Sequence, residues 1–301
     1  MSAAPDSLPG WRNYPADDFD LELTLLVEAL YRKYAYDFRN YSRASLKRRV
    51  QHAMTTLSCR TVSELQGRLI HEPDLFLQLL QYLTIPVSEM FRDPAYFRAF
   101  RETVVPILGT WPSIKLWVAG CSTGEEVYSL AIVLREEQLL DRTIIYATDI
   151  NPHSLAKARD GIYPAESLKL FTANYQAAGG RTEFSDYYTA AYESAVFDRT
   201  LRRNITFADH SLATDSVFSE MHYVSCRNVL IYFDRPLQDR AFGLFRDSLV
   251  HRGFLGLGSK ETVEFSAVRD DFETFMKPER IFRKAQGAGT RHNHASARST
   301  F

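Results

Sequence analysis

Residues 115–134 read KLWVAGCSTGEEVYSLAIVL, and this segment has three parts. A short apolar run at 116–119 ends in the glycine-bearing turn GCSTG at 120–124, and an apolar helical pattern follows at once. A strand, a glycine turn and a helix in this order place main-chain N–H groups and the positive end of a helix dipole at the carboxyl edge of a sheet. The segment therefore predicts a ligand site on this turn.

Two acidic residues, Glu125 and Glu126, open the helix that follows the turn. The turn offers only Gly120 and Gly124, so it lacks the GxGxxG motif of dinucleotide-binding folds, and two carboxylates would repel a pyrophosphate. The pair suits a ligand with a positively charged group, such as the ammonium of an aminoacyl moiety. The alternative is that both glutamates only complement the helix dipole.

The composition excludes several classes of protein. With 301 residues, 45% of them hydrophobic, we expect two domains, and a net charge of −1 gives no overall field toward nucleic acid or an anionic membrane. No apolar stretch approaches the about 18 to 20 residues that span a bilayer, and the first residues lack the pattern of a secretion signal, so we expect a cytoplasmic protein. Cys59, Cys121 and Cys226 are too scattered to predict a disulfide framework or a zinc site.

The hydrophobic periodicity changes once along the chain. Residues 18–108 fit amphipathic helices, whereas residues 109–286 alternate short β-rich runs with helical stretches. This alternation predicts an α/β fold with a doubly wound, mostly parallel sheet after an all-helical N-terminal domain. Residues 162–203, rich in aromatics but without clear periodicity, are interpreted as a small inserted subdomain. Residues 1–17 are interpreted as a flexible arm and residues 287–301 as a disordered tail.

The second predicted strand ends in ATDINP, with Asp149 as its acidic residue. An acidic residue at this position of a doubly wound fold is placed to accept the two hydroxyls of a ribose. Asp149 could instead cap the helix that begins near Pro152, although Asn151 would serve as that cap equally well.

A third group of polar residues lies within YVSCRNVLIYFD (223–234), which is interpreted as a further strand region. Arg227 and Asn228 interrupt apolar residues, and burying them without partners would be unfavourable. We expect them at the carboxyl edge of the sheet, with Tyr232 nearby on the next turn or helix. The alternative for Arg227 alone is a salt bridge that holds a loop.

Four segments in this order resemble one known family. They are AGCSTGEEVYSLAI (119–132), ATDINPHSLAKARDGIY (147–163), HSLATDSVFSEMHYVSCRNVLIYFD (210–234) and LGLGSKET (255–262). The pattern resembles the CheR-type chemoreceptor glutamate O-methyltransferases, which use S-adenosylmethionine, and the resemblance covers about residues 20–285. It implies a class I methyltransferase domain, a helical N-terminal domain for substrate recognition and an inserted β-subdomain.

The resemblance also implies roles for individual residues. Arg92 and Tyr232 match the family's active-site arginine and tyrosine, and the arginine is one that the helical domain brings to the cofactor. Pro86 and Ser88 stand where the family has asparagine and threonine, and Ser211 stands where many relatives have asparagine. Pro86 cannot supply an amide contact, whereas Ser88 keeps a hydroxyl. The cofactor-binding residues implied in this way are Pro86, Ser88, Arg92, Gly120, Glu125, Asp149, Ser211, Leu212, Arg227 and Asn228, and no metal is implied.

Methyl transfer to a carboxylate explains why no catalytic histidine or cysteine stands out. A free glutamate has a pKa of about 4.3, so it is already ionised at neutral pH and needs no general base. The enzyme must supply alignment, which can contribute on the order of 7 kcal/mol or more. We assign that alignment to Arg92 and Tyr232.

The helix SRASLKRRVQHA carries a local basic patch of Arg43, Lys47, Arg48 and Arg49. Under the resemblance it would dock the glutamate-rich cytoplasmic helices of a methyl-accepting chemoreceptor; otherwise it is a solvated helix face. The protein is expected to be a monomer that binds no nucleic acid and does not insert into a membrane. Two other functions remain open: a methyltransferase for another substrate, and a non-catalytic adaptor that binds the cofactor.

Overall fold

A computed structural model describes residues 16–84 and 88–286, and these residues form two compact units. Each unit is presented by itself. The expected arm and tail lie largely outside the described residues, as does Pro86.

The first unit, residues 16–84, consists of helices. Each helix buries one apolar face, as in α1, where Leu23, Leu26 and Leu30 recur at helical spacing. At the start of α3 the Thr61 hydroxyl accepts a hydrogen bond from the main-chain N–H of Glu64, which fixes where that helix begins. The helices are α1 (Ala16–Tyr34), α2 (Arg43–Thr56), α3 (Val62–His71) and α4 (Pro73–Leu83).

The second unit contains a seven-stranded sheet in the order β6-β2-β1-β7-β8-β10-β9. The first five of these strands pair in parallel, and β10 is antiparallel to both of its neighbours. This confirms the predicted mostly parallel sheet, and the order reverses beside β1, where such folds bind ligands. The strands are β1 (Ile114–Ala119), β2 (Thr143–Asp149), β6 (Ile205–Asp209), β7 (Met221–Cys226), β8 (Leu249–Leu257), β9 (Phe272–Met276) and β10 (Ile281–Lys284).

The helices of residues 94–108 belong to this second unit, so the division lies earlier than the expected boundary at residue 108. Their apolar side chains join the core of the sheet, where the Phe100 ring centroid lies 4.8 Å from that of Tyr223 on β7. The helices of the second unit are α5 (Pro94–Ala99), a π-helix (Phe100–Val104), α6 (Val105–Leu108), α7 (Glu125–Glu136), α8 (Pro152–Asp160), α9 (Leu168–Ala177) and α10 (Arg235–Ser248).

The predicted inserted β-subdomain is confirmed as a three-stranded antiparallel sheet in the order β3-β5-β4. Its strands are β3 (Ile162–Pro164), β4 (Tyr188–Ala191) and β5 (Ser194–Phe197). Helix α9, which the sequence pattern did not indicate, lies between β3 and β4. The Tyr187 hydroxyl donates a hydrogen bond of 2.9 Å to Glu136 at the end of α7, and the Tyr175 hydroxyl of α9 contacts the same carboxylate. Glu136 therefore fastens the insertion to the main domain.

Two further details differ from the sequence pattern. Strand β9 was not predicted, and the run after Cys226 is not a strand, because β7 ends there and a 3₁₀ turn spans Leu230–Tyr232. Across residues 16–84 and 88–286, none of the helices combines the length and apolarity needed to cross a membrane.

Candidate functional site

The turn after β1 is tied to the end of β2. The main-chain N–H groups of Gly120 and Cys121 both donate to the Thr148 carbonyl, at 2.8 and 2.9 Å. Gly120 has φ 74°, and a Cβ built there would lie 2.5 Å from a methyl carbon of Val229, in the loop after β7. Only glycine permits this approach. The turns after β1, β2 and β7 therefore meet at one edge of the sheet.

Asp149 lies at this edge as the last residue of β2. Its two carboxylate oxygens accept hydrogen bonds from the main-chain N–H groups of Ser122, at 2.8 Å, and Asn151, at 2.9 Å. Asn151, not Asp149, caps α8, because its side chain accepts from the N–H groups of His153 and Ser154. Burial raises the pKa of Asp149, and these main-chain donors oppose the rise. The acid is thus available for a ligand rather than used as a helix cap.

Glu125 is buried at the first position of α7, with 6% of its surface exposed. Its carboxylate accepts from the Thr123 hydroxyl at 2.7 and 2.8 Å. Burial raises the pKa of Glu125, while the hydroxyls of Thr123 and Ser88 lower it. In the second unit, as far as it is described, no cationic side chain lies within ion-pair distance of Glu125 or Asp149.

Glu126 has a different environment from its neighbour. It pairs with Arg227 at 3.0 Å and accepts a hydrogen bond from the Ser225 hydroxyl at 2.5 Å. Of the two glutamates, Glu125 has no lysine or arginine within ion-pair distance in the described part of the second unit, although the charge of Lys157 lowers its pKa from farther away. The resemblance implied a cofactor role for Glu125 alone, and the structure shows that the two glutamates have different environments.

Arg227 is a buried ion-pair partner in the structure, with 1% of its side chain exposed. Besides Glu126, its guanidinium donates to the Asp93 carboxylate at 2.8 Å and to the Arg92 carbonyl at 2.9 Å. It also lies 4.0 Å from the ring centroid of Tyr96. The loop-holding salt bridge considered for Arg227 is therefore present.

Arg92 lies in the second unit, not with the N-terminal helices as the resemblance implied. Its neighbours Phe91 and Asp93 have φ of 53° and 60°, a backbone conformation that non-glycine residues adopt rarely. The Phe91 N–H donates to the Ser129 hydroxyl at 2.9 Å, and Arg227 holds the other side of the segment. Among residues 16–84 and 88–286 no acceptor is recorded for the Arg92 guanidinium, which is half-buried. The backbone around Arg92 is therefore fixed, and within the described residues its guanidinium has no hydrogen-bond acceptor.

Asn228 and Tyr232 follow the end of β7, as predicted. Asn228 has φ 62°, and its N–H donates to Glu261 at 2.9 Å. Tyr232 is half-buried and ends the 3₁₀ turn. Glu261 was missed at the sequence level, although it lies within the quoted LGLGSKET segment.

Ser211 and Leu212 follow strand β6 at the same edge. The main-chain N–H of Ser211 donates to Asp215 at 2.9 Å, and its hydroxyl accepts from the N–H of Ala213 at 3.3 Å. Leu212 is buried. Strand β6 is parallel to β2 and pairs Asp209 with Asp149, so both strands end together.

The basic patch of α2 is smaller than expected. Arg49 is buried, and its guanidinium contacts the Leu83 carbonyl at the end of α4, so it does not belong to an exposed docking face. Lys47 lies 3.5 Å from Asp20, and Arg43 contacts Asp20 and Thr24 of α1. Arg48 is exposed. Arg43, Lys47 and Arg48 remain as the candidate surface.

The residues at the sheet edge fit S-adenosylmethionine. The ligand carries an ammonium, a sulfonium and a ribose. The edge offers Glu125, a buried carboxylate with no ion pair in the described part of the second unit, and Asp149, a carboxylate at a strand end. Both retain acceptor capacity, since an ionised carboxylate has about four lone-pair sites. The hydrogen bonds recorded for each leave some of these sites open.

Comparison with known proteins agrees with this geometry. Residues 86–281 match the model for the CheR methyltransferase SAM-binding domain, and residues 21–84 match that for the CheR methyltransferase all-alpha domain. The chain is 67% identical over 266 residues to the protein named Cher3 of Pseudomonas putida, covering 88% of this chain and 97% of that one.

Two more distant relatives differ in what their names describe. A chemotaxis protein methyltransferase of Listeria innocua is 28% identical, over 82% of this chain and 92% of its own. A Pseudomonas aeruginosa relative, WspC, whose name refers to biofilm formation, is 25% identical over 75% of this chain and 53% of its own. Since the two domain models together match nearly all of residues 21–281, the chain belongs to the CheR family of S-adenosylmethionine-dependent methyltransferases.

Proposed function

We propose that the protein transfers a methyl group from S-adenosylmethionine to glutamate side chains of chemoreceptors, giving glutamate methyl esters and S-adenosylhomocysteine in chemosensory adaptation. The observation that carries this proposal is the pair Glu125 and Asp149 at the carboxyl edge of the sheet, two acids with no lysine or arginine within ion-pair distance in the described part of the second unit. Relatives named chemotaxis protein methyltransferase support the choice of substrate.

The cofactor would supply an electrophilic methyl group on its sulfonium. Glu125 would accept hydrogen bonds from the ammonium of the methionyl part, and Asp149 would accept from the ribose hydroxyls. Ser211, Leu212 and Asn228 would line the rest of the cofactor site, with Ser88 beside Glu125. Arg227 would act indirectly, through its hydrogen bond to the Arg92 carbonyl and its ion pairs with Asp93 and Glu126.

Arg92 and Tyr232 would align the acceptor carboxylate. The carboxylate is an anion, so the half-buried Arg92 guanidinium can bind and orient it. The Tyr232 hydroxyl can donate a hydrogen bond to one oxygen and leave the other free to attack. No proton has to be removed, since the acceptor is ionised at neutral pH. The chain therefore contributes placement, and the absence of a general base among these residues is consistent with the chemistry.

The test is a methylation assay with S-adenosylmethionine carrying a labelled methyl group and membranes that contain one chemoreceptor. Alkali-labile label on the receptor, lost when its acceptor glutamates are changed to alanine, would support the proposal. Tyr232→Phe should transfer at least tenfold more slowly while calorimetry shows cofactor binding within a few-fold of wild type. Tyr192→Phe is the matched control, since Tyr192 is fully exposed at the tip of the β4–β5 hairpin. No label on any receptor despite cofactor binding would refute the receptor substrate.

The exposed residues of the α2 patch should bind the acidic receptor helix. The reaction would then take place in the cytoplasm, where these receptor helices lie. Arg48→Glu should raise the apparent KM for receptor without changing that for cofactor, because Arg48 is exposed and forms no recorded ion pair within residues 16–84. Arg60→Glu makes the same charge change on an exposed residue before α3. Equal kinetics for the two variants would argue against α2 as the docking surface.

A further inference from the structure

Glu261 is the most heavily hydrogen-bonded carboxylate at the sheet edge. It lies in the loop after β8, with 4% of its surface exposed. It accepts from five main-chain N–H groups, four of them in the loop after β7. The donors are Asn228 at 2.9 Å and Gly258 at 2.7 Å to Oε2, and Val229 at 2.9 Å, Leu230 at 2.8 Å and Ile231 at 3.4 Å to Oε1.

The charge of Glu261 is stabilised by the main chain rather than by a cation. In residues 88–286 no lysine or arginine is recorded within ion-pair distance of its carboxylate. Burial raises the pKa of Glu261, and the main-chain N–H groups that donate to it oppose this rise. Unlike Glu125, it has nearly every acceptor site filled from within the chain. Glu261 therefore has no capacity left for a ligand, and its function must be exerted through the loop that it binds.

That loop carries residues of the proposed reaction. Asn228 has a left-handed backbone, φ 62°, and Tyr232 ends the 3₁₀ turn whose N–H groups Glu261 accepts. Gly258 completes the contact, because a Cβ there would lie 2.7 Å from Glu261 Oε2 and 2.8 Å from the Asn228 nitrogen. The Glu261 carboxylate therefore joins the loops after β7 and β8, and position 258 beside it has no room for a side chain.

We propose that Glu261 is a positioning residue for methyl transfer, whose ionised carboxylate fixes the main chain from Asn228 to Ile231 and thereby places the Tyr232 hydroxyl. This rests on the proposed function. Both oxygens are needed, because each accepts at least two N–H groups. Glutamine would turn an NH₂ group toward N–H donors on one side, and the loop would shift to avoid that contact.

The test compares Glu261→Gln with Glu264→Gln. The control makes the same change three residues later in the same loop, at a half-buried glutamate that pairs with Arg269. Glu261→Gln should lower kcat at least tenfold and raise the calorimetric Kd for S-adenosylmethionine by a clearly smaller factor, through Asn228, whereas Glu264→Gln should leave both unchanged. In the double variant with Tyr232→Phe, kcat should equal that of Tyr232→Phe alone, since a residue acting through Tyr232 has nothing further to misplace. Multiplied losses in the double variant, or a kcat within twofold of wild type in Glu261→Gln, would overturn the proposal.

Gly258→Ala provides a second variant in case Glu261→Gln does not fold. It disturbs the same contact without changing a charge, so it should show the same loss of kcat and the same lack of additivity with Tyr232→Phe. Amide hydrogen exchange gives a readout without receptor: the N–H groups of residues 228–231 should exchange at least tenfold faster in either variant, while those of β7 stay unchanged. If the wild type methylates no receptor, the proposed function fails on its own, and unchanged exchange at residues 228–231 would still refute the role of Glu261.

Discussion

The turn after β1 and the loop after β7 lie side by side at the same edge of the sheet, but the charged side chains near them have opposite environments. At the first, Glu125 has only hydroxyl and main-chain donors around its carboxylate, and Asp149 at the end of the adjoining strand has only main-chain donors. At the second, Arg227 is enclosed by Glu126 and Asp93. In the described part of the second unit, the first region leaves its carboxylates without an ion-pair partner, and the second region pairs its charges with each other.

This difference separates binding residues from scaffold. A buried charge without a counterion destabilises the free protein, and a ligand that supplies the missing charge gains that free energy on binding. A buried ion pair whose charges already neutralise each other adds no binding free energy for a ligand. Removing one partner leaves the other as an unpaired buried charge, which destabilises the fold. Mutations in the first region should therefore change mainly the affinity for S-adenosylmethionine, and mutations in the second should change mainly the free energy of unfolding.

The largest effect is expected from Arg227→Ala. Removing this guanidinium leaves Glu126 partly buried without its cation, which should lower the free energy of unfolding by about 3–5 kcal/mol in a urea titration. Because Arg227 also holds the Arg92 carbonyl, the surviving folded fraction should transfer methyl groups poorly.

Combining Arg227→Ala with Glu126→Ala tests the pairing itself. The second change should cost less in the double variant than alone, since the carboxylate that it removes no longer has a partner. Strictly additive losses would mean that the 3.0 Å pair carries little coupling. The two regions would then not differ as described.

Asp149→Asn should give the next largest effect, this time on affinity. Loss of one charged acceptor corresponds to about 1.5–3 kcal/mol, which is about a 10- to 100-fold rise in the Kd for S-adenosylmethionine by calorimetry. Asp141→Asn, an exposed acid just before the same strand, is the control and should bind normally. Normal binding by Asp149→Asn would remove Asp149 from the site.

The sequence predicted the first region well because its signals are local. A strand end, a glycine turn and an acidic residue each lie within a few positions, and a parallel sheet brings strand ends together without further information. The placement of Glu125 and Asp149 at the sheet edge was predicted in this way. The glycines at 120 and 124 marked a turn whose φ values of 74° and 93° confirm the need for glycine.

The second region could not be predicted because its partners are distant in sequence. Arg227 contacts Asp93 across 134 positions, and Glu261 reaches Asn228 across 33. No periodicity or short motif relates such pairs, so the sequence offered a salt bridge for Arg227 only as an alternative, without its partners, and gave Glu261 no role. The domain boundary was displaced for a similar reason: the helices of residues 94–108 look like the helices before them, and only packing against the sheet shows where they belong.

Glu125→Gln and Glu126→Gln compare adjacent residues with opposite expected effects on stability. Glu125→Gln should raise the free energy of unfolding, because burial already disfavours its charge, and should weaken S-adenosylmethionine and S-adenosylhomocysteine equally, by about tenfold, since both carry the same ammonium. Glu126→Gln should lower the free energy of unfolding and affect binding less. A loss confined to S-adenosylmethionine would place Glu125 at the sulfonium instead.

The smallest effect should be the dependence on pH, and its sign follows from the raised pKa values of Glu125 and Asp149. Below its raised pKa each carboxyl is protonated and cannot bind a cation. The Kd for S-adenosylmethionine should therefore increase as pH falls toward these raised pKa values, which lie above the ordinary values of 4.5 for Glu125 and 3.8 for Asp149.

The stability of the free protein should respond in the opposite direction. Between its ordinary pKa and its raised folded pKa, each acid holds more proton in the folded state than in the unfolded one. The contribution of these two acids to stability therefore increases as pH falls through that window. Calorimetry from pH 8 to 5 should show proton release on binding and a weaker dependence in Glu125→Gln. A Kd independent of pH in wild type would mean that the ligand does not use these charges, and the contrast between the two regions would lose its functional meaning.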